Sequence, residues 1–140
     1  MALASAQVVD ALAALVLGVT ALASRVYTSR AWPLDQVPAA RVTAEGEDVQ
    51  AIDLVGQIER HQLEVAVRLY AQAVSDVDTT LHSLAAAALT ALMVDPKPHA
   101  LQLVGISRAL QGEGEATLGV ITLRLLTTFH VDSAAPETIL

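Results

Sequence analysis

Ile58-Glu59-Arg60-His61-Gln62-Leu63-Glu64-Val65-Ala66-Val67-Arg68-Leu69-Tyr70-Ala71-Gln72 is the stretch whose pattern decides the fold. Leu63, Val65, Val67 and Leu69 alternate with Gln62, Glu64, Ala66, Arg68 and Tyr70. A period of two places one set in a core and the other toward water. The length of the run suits an antiparallel strand with one solvated face. A matching strand closes the chain at Thr117 to Val131. There Ile121, Leu123, Leu125, Thr127 and Phe129 share one face, and Thr122, Arg124 and Thr128 share the other with Val120 and Leu126. Ala100 to Leu110 reads as the strand before it. The intervening Gln111-Gly112-Glu113-Gly114-Glu115 is a glycine-rich hairpin turn.

Between these strands lies a helix. Ser75 or Asp76 caps it, and Asp76 and Asp78 suit the positive end of its dipole. Val77, Leu81, Leu84, Ala88 and Leu92 follow helical spacing, and Asp95-Pro96-Lys97-Pro98 stops it. Upstream, Ala4 to Leu17 predicts a first helix with Val8, Val9, Leu12, Leu15 and Val16 on a broad apolar face, ended by Gly18. Arg25-Val26-Tyr27-Thr28 is a short strand, Ala31 to Pro38 a proline-punctuated loop, and Ala40 to Ala44 a second strand. Glu45 to Gly56 carries Glu45, Glu47, Asp48 and Asp53 with no basic residue between Arg41 and Arg60. This predicts a mobile acidic loop or the flared tip of a hairpin.

The expected architecture is therefore α+β: a mostly antiparallel sheet of four to five strands with two helices packed on one face. One domain is expected over residues 1–131. Residues 132–140 are expected to form a flexible tail, with Pro136 preventing a further paired strand.

Composition narrows the function. The 140 residues are 54% hydrophobic, yet one Phe, one Trp and two Tyr leave the core to Leu, Val and Ala. Fifteen acidic against eight basic residues give a net charge of −7, contrary to the basic footprint of a protein that grips nucleic acid. The absence of cysteine excludes disulfides, thiolate metal sites and cysteine nucleophiles. The apolar Ala2–Ser24 reads as a soluble cytoplasmic helix, not a membrane span or leader. Asp10 interrupts it, no Lys or Arg precedes it, and Ala11–Ser24 is shorter than the ~20 residues a span takes.

Catalytic constellations are not evident. His61, His82, His99 and His130 show no metal-ligand spacing, and Ser75, Asp76 and Asp78 are explained by helix capping. Gly112–Glu115 lacks the Lys and Ser/Thr of a phosphate loop, and Glu45, Glu47 and Asp48 lack calcium-loop spacing. Trp32 before Pro33 reads as a packing anchor. These features point to a binding or assembly protein, with no enzymatic activity and no cofactor. Val120 and Leu126, on the wet face of the last strand, need cover from the chain's own loops or from a neighbouring subunit.

Several ordered features resemble one known family. They are the Ala/Leu N-terminal helix, Ser24-Arg25-Val26-Tyr27, Arg30-Ala31-Trp32-Pro33-Leu34, Val37-Pro38-Ala39-Ala40-Arg41-Val42, Glu45-Gly46-Glu47-Asp48, the Gln62–Tyr70 strand, Ala91-Leu92-Met93-Val94-Asp95-Pro96, and the closing pair with its Gly112–Glu115 turn. Over roughly Ala4 to Phe129 the pattern resembles the tail terminator (tail-completion) family of long-tailed bacteriophages, the group that includes minor tail protein U. Lys97-Pro98-His99 departs from the small-residue turn usual there.

The resemblance implies a virion structural protein at the tail–neck junction, present in the host cytoplasm during assembly. Such a protein forms a homo-hexameric ring on the tail tube, stops tube polymerisation and meets the head connector or stopper. DNA passes through the lumen without specific binding, and no membrane is involved. The resemblance further implies that Glu45, Glu47, Asp48 and Asp53 face the tube or lumen. Gly112, Glu113, Gly114 and Glu115 would lie at a rim or subunit boundary. Arg25, Arg41, Arg68 and Arg124 would make intersubunit ion pairs with Glu64 or the acidic segment. The competing readings are another neck protein (head-closure, stopper or adaptor) and a small cytoplasmic ligand-binding domain.

Overall fold

The computed structural model describes residues 3–22, 25–28, 37–53, 55–73, 76–93, 100–111 and 117–140. Apolar alternation builds the centre of a sheet. β3 (Ile58–Ala73) and β5 (Thr117–Asp132) pair antiparallel along their whole length, from Ile58 opposite Asp132 to Ala73 opposite Thr117. Leu63, Val65, Val67, Leu69 and Ala71 of β3 are buried on one face beside Ile121, Leu123, Leu125, Phe129 and Val131 of β5. β2 (Ala39–Asp53) pairs antiparallel with β3, and β4 (Ala100–Gln111) with β5. β1 (Val26–Tyr27) lies parallel to β2, with Val26 opposite Ala40. β6 (Ala135–Ile139) folds back on the end of β5. The order is β1-β2-β3-β5-β4, with β6 beside β5.

Helix α1 (Ala4–Leu17) has the predicted bounds. Gly18 is not left-handed, however (φ −69°). The helix instead tightens, with the Gly18 N–H on the Leu15 carbonyl and the Val19 N–H on that of Val16, into a 3-10 turn at Thr20–Leu22. Helix α2 (Val77–Leu92) starts at Asp76, whose carboxylate accepts the Thr79 N–H at 3.3 Å. Val77, Leu81, Leu84, Ala85, Ala88 and Leu92 are buried against the sheet. α2 lies over β3 and β5, α1 reaches β2 and α2, and all share one aliphatic core. A Cβ added to Gly119 would stand 2.7 Å from Leu81 Cδ1 and 3.1 Å from Val77 Cγ2, so glycine sets how closely α2 approaches β5.

Three expectations need correction. The mostly antiparallel sheet of four to five strands is a curled, mixed, six-stranded sheet that dominates the chain, and an α+β description fits only loosely. The parallel β1 makes it mixed. Register shifts at Ala44/Gly46, Ala51/Asp53 and Leu103/Gly105 mark irregularities of the kind that bend strands. Second, of the two readings of Glu45–Gly56 the mobile loop fails and the hairpin tip holds: Glu45–Asp53 is the distal half of β2, held in register by β3 from Gly46 opposite Glu64 to Asp53 opposite Ile58. Residues 44–53 are all exposed, so polar side chains mix with Val49, Ala51 and Ile52 and no clean alternation is written. Third, 135–139 is a strand, not an unpaired tail. Pro136 is tolerated on this outer strand, where one side makes no ladder bonds. Ser75, the Ala31–Leu34 part of the proline loop with Trp32, the Asp95–Pro98 stop and the Gly112–Glu115 turn lie outside the described residues.

Candidate assembly surface

The two faces of the sheet differ. One carries the helices. The other, free of helices among the described residues, presents Arg41, Thr43, Glu64, Arg68, Tyr70, Val120, Thr122, Arg124 and Leu126. Arg68 Nη1 donates to Glu45 Oε1 at 2.6 Å and to Thr43 Oγ1 at 3.0 Å, so this pair closes within one chain. The Arg41 guanidinium lies 5.8 Å from the Tyr70 ring centroid. The Arg124 guanidinium lies over Gly105, in the space a Cβ there would take. Glu64 sits opposite Gly46 and Leu126. Arg25 is elsewhere: its Nε donates to the Pro38 carbonyl at 2.8 Å, tying β1 to the start of β2. Val120 and Leu126 are half-buried. A cavity of about 190 Å³ opens between Arg68, Tyr70, Leu118, Gly119, Val120 and Thr122.

The acidic residues form a line, not a cluster. Glu45 turns to Arg68 on the helix-free face. Glu47, opposite Leu63, turns to the helix side, where its Oε2 lies 2.5 Å from His61 Nδ1. His61 stacks on Phe129 at 5.2 Å, with Glu59 3.4 Å from its other nitrogen. Gln50 is bonded by Arg60 across the hairpin. At the tip, Asp53 Oδ1 accepts the N–H groups of Val55 (3.1 Å) and Gly56 (2.9 Å), fixing the turn, while Val55 stands 97% exposed. No group of three or more His, Cys, Asp or Glu among the described residues is arranged to hold a metal ion. No helix among them is long and apolar enough to cross a membrane.

What the geometry offers is surface. A shallow apolar recess of about 500 Å³ lies between Gly18–Ala21 and Ala86–Ala91. A smaller one, about 120 Å³, lies beside the α1 start, Glu47, His61 and Pro136.

Chains of similar fold occur among solved structures, one of them in a virion particle. That chain, from the structure described as "Virion of native gene transfer agent (GTA) particle", superimposes with a TM-score of 0.50 at 16% identity, covering 86% of this chain and 91% of that one. No protein-family model and no curated protein matches the sequence. The structural likeness extends over most of both chains, and at this identity it speaks for the fold.

The pattern of residues did not disclose that, among the described residues, the sheet ends in two long margins without a strand neighbour. One is the distal half of β2, since β1 covers β2 only at Ala40 and Arg41. The other is β4, which has β5 as its only strand neighbour among the described residues. A signal for the second existed in Val104, Ile106 and Leu110, apolar at even spacing and exposed by 44%, 41% and 55%.

Proposed function

We propose that this protein is a virion structural component, a tail terminator that forms a hexameric ring on the completed tail tube. The ring stops addition of tube subunits and presents a surface to the head connector or stopper. The work is done by surfaces, without turnover. The observation that supports the virion part of this reading is the superposition on a chain of a gene transfer agent particle, 86% of one chain on 91% of the other. The terminator role itself is supported by the ordered sequence features that resemble that family. A net charge of −7 suits a ring through which DNA slides without being gripped.

The test is the mass of the purified protein by light scattering on a sizing column, alone and with tail tubes. A ring-sized species, or a monomer that becomes a ring on the tube and halts its growth, is expected. A monomer that ignores the tube would overturn the proposal.

A further inference from the structure

The two bare margins of the sheet are complementary. On the helix side, distal β2 shows Glu47, Val49 and Ala51, opposite Leu63, His61 and Glu59 of β3. On the same side, β4 shows Ile106, Arg108 and Leu110, opposite Leu123, Ile121 and Gly119 of β5. The other side carries small or polar residues on both margins: Gly46, Asp48 and Gln50 on β2, and Gly105, Ser107 and Ala109 on β4. Residues 44–53 hold four acids and no base, whereas β4 holds one base, Arg108, and no acid. Arg108 sits at the margin with its Nε on His82 of α2.

An exposed strand edge with apolar side chains and neither Lys nor Pro templates pairing with another chain. Like meeting like would set acid against acid at β2. We infer that β4 of one copy pairs with the distal half of β2 of the next, continuing the sheet from subunit to subunit. The contact is heterologous, because its two halves lie at opposite margins of one sheet, and such a contact builds a ring when the rotation from copy to copy closes and an open filament when it does not. This rests on the ring reading above and names the surfaces that build it.

The chain has no cysteine, so single introduced thiols report without background. Single-cysteine variants at Glu47, Val49 or Ala51 are mixed in turn with variants at Val104, Ile106 or Arg108 under mild oxidation, and light scattering is run in parallel. The expected result is a disulfide-linked dimer in β2-plus-β4 mixtures and at least ten-fold less in any variant alone. Ile106→Lys, at an exposed position, should shift the scattering mass to monomer while leaving the far-ultraviolet circular dichroism unchanged. Crosslinks within a β4 variant alone would mean a two-fold contact and overturn the inference. Ring-sized mass without β2–β4 crosslinks would overturn it while the ring reading stands. A monomer under every condition, tubes included, would overturn both.

Discussion

Gly119→Ala adds one methyl group where α2 comes closest to β5. The new carbon would stand 2.7 Å from Leu81 Cδ1, about 0.7 Å inside ordinary contact, with Val77 Cγ2 at 3.1 Å behind it. Leu81 is fully buried, so its side chain has no open space to retreat into. Overpacking of this kind costs about 1–3 kcal/mol. Replacing glycine in a strand recovers roughly 0.5–1 kcal/mol by restricting the unfolded chain. The net expectation is destabilisation centred on ~1 kcal/mol, within a span of about 0–2.5 kcal/mol, or a fall in Tm of some 3 °C per kcal/mol at this chain length. Leu81→Ala alone should cost about 2–5 kcal/mol, because it leaves a cavity. The double variant should fall short of the sum by at least ~1 kcal/mol, since the methyl added at position 119 then enters the space Leu81 vacated. Urea unfolding followed by circular dichroism measures all three. A stabilising Gly119→Ala, or strict additivity in the double variant, would refute the claim that this glycine sets the helix–sheet spacing.

Thr127 is fully buried with no hydrogen-bond partner for its hydroxyl among the described residues, so Thr127→Val should stabilise by about 1 kcal/mol, read as a higher urea midpoint at unchanged slope. Asp76 both caps α2 and adopts φ 56°, so Asp76→Ala should lose about 1–2 kcal/mol and Asp76→Gly distinctly less; equal losses would remove the backbone part of the explanation. The Arg68–Glu45 pair is partly exposed, so Glu45→Ala should change stability by less than about 1 kcal/mol, with a smaller difference in high salt.

The parts of the fold legible in the sequence were those where burial writes a period. Leu63 to Leu69 and Ile121 to Phe129 face the core as their alternation predicts, and α1 runs from Ala4 to Leu17 as its apolar stripe predicts. Distal β2 was only half legible, as a loop or a hairpin tip. Its backbone is ordered by β3, but with every side chain exposed no face is selected for apolarity, so an extended strand spells like a loop. β6 was hidden for a different reason. Five residues containing Pro136 carry too little pattern, and their pairing is supported by contacts distant in sequence, such as Gln7 Nε2 donating to the Glu137 carbonyl at 2.6 Å. Among the site residues, Arg68 stands out by its charge and alternation puts Glu45 on the face of Thr43, but their meeting depends on β2 lying beside β3, which lies outside any local pattern. The bare margins are properties of strand order, which no local pattern encodes.

The pairing of β3 with β5 also governs how the chain reaches this state. Each partner belongs to a hairpin of short reach, β2–β3 and β4–β5, yet even the nearest paired ends of β3 and β5, Ala73 and Thr117, are separated by all of α2 and β4. Closing so long a loop costs entropy before any contact repays it. Refolding should therefore be slow, in milliseconds to seconds, with both hairpins waiting on one central seam. Until that seam closes, the apolar face of β3 stands open to other chains. A cell making many copies at once would then face a race between zipping within a chain and pairing between chains.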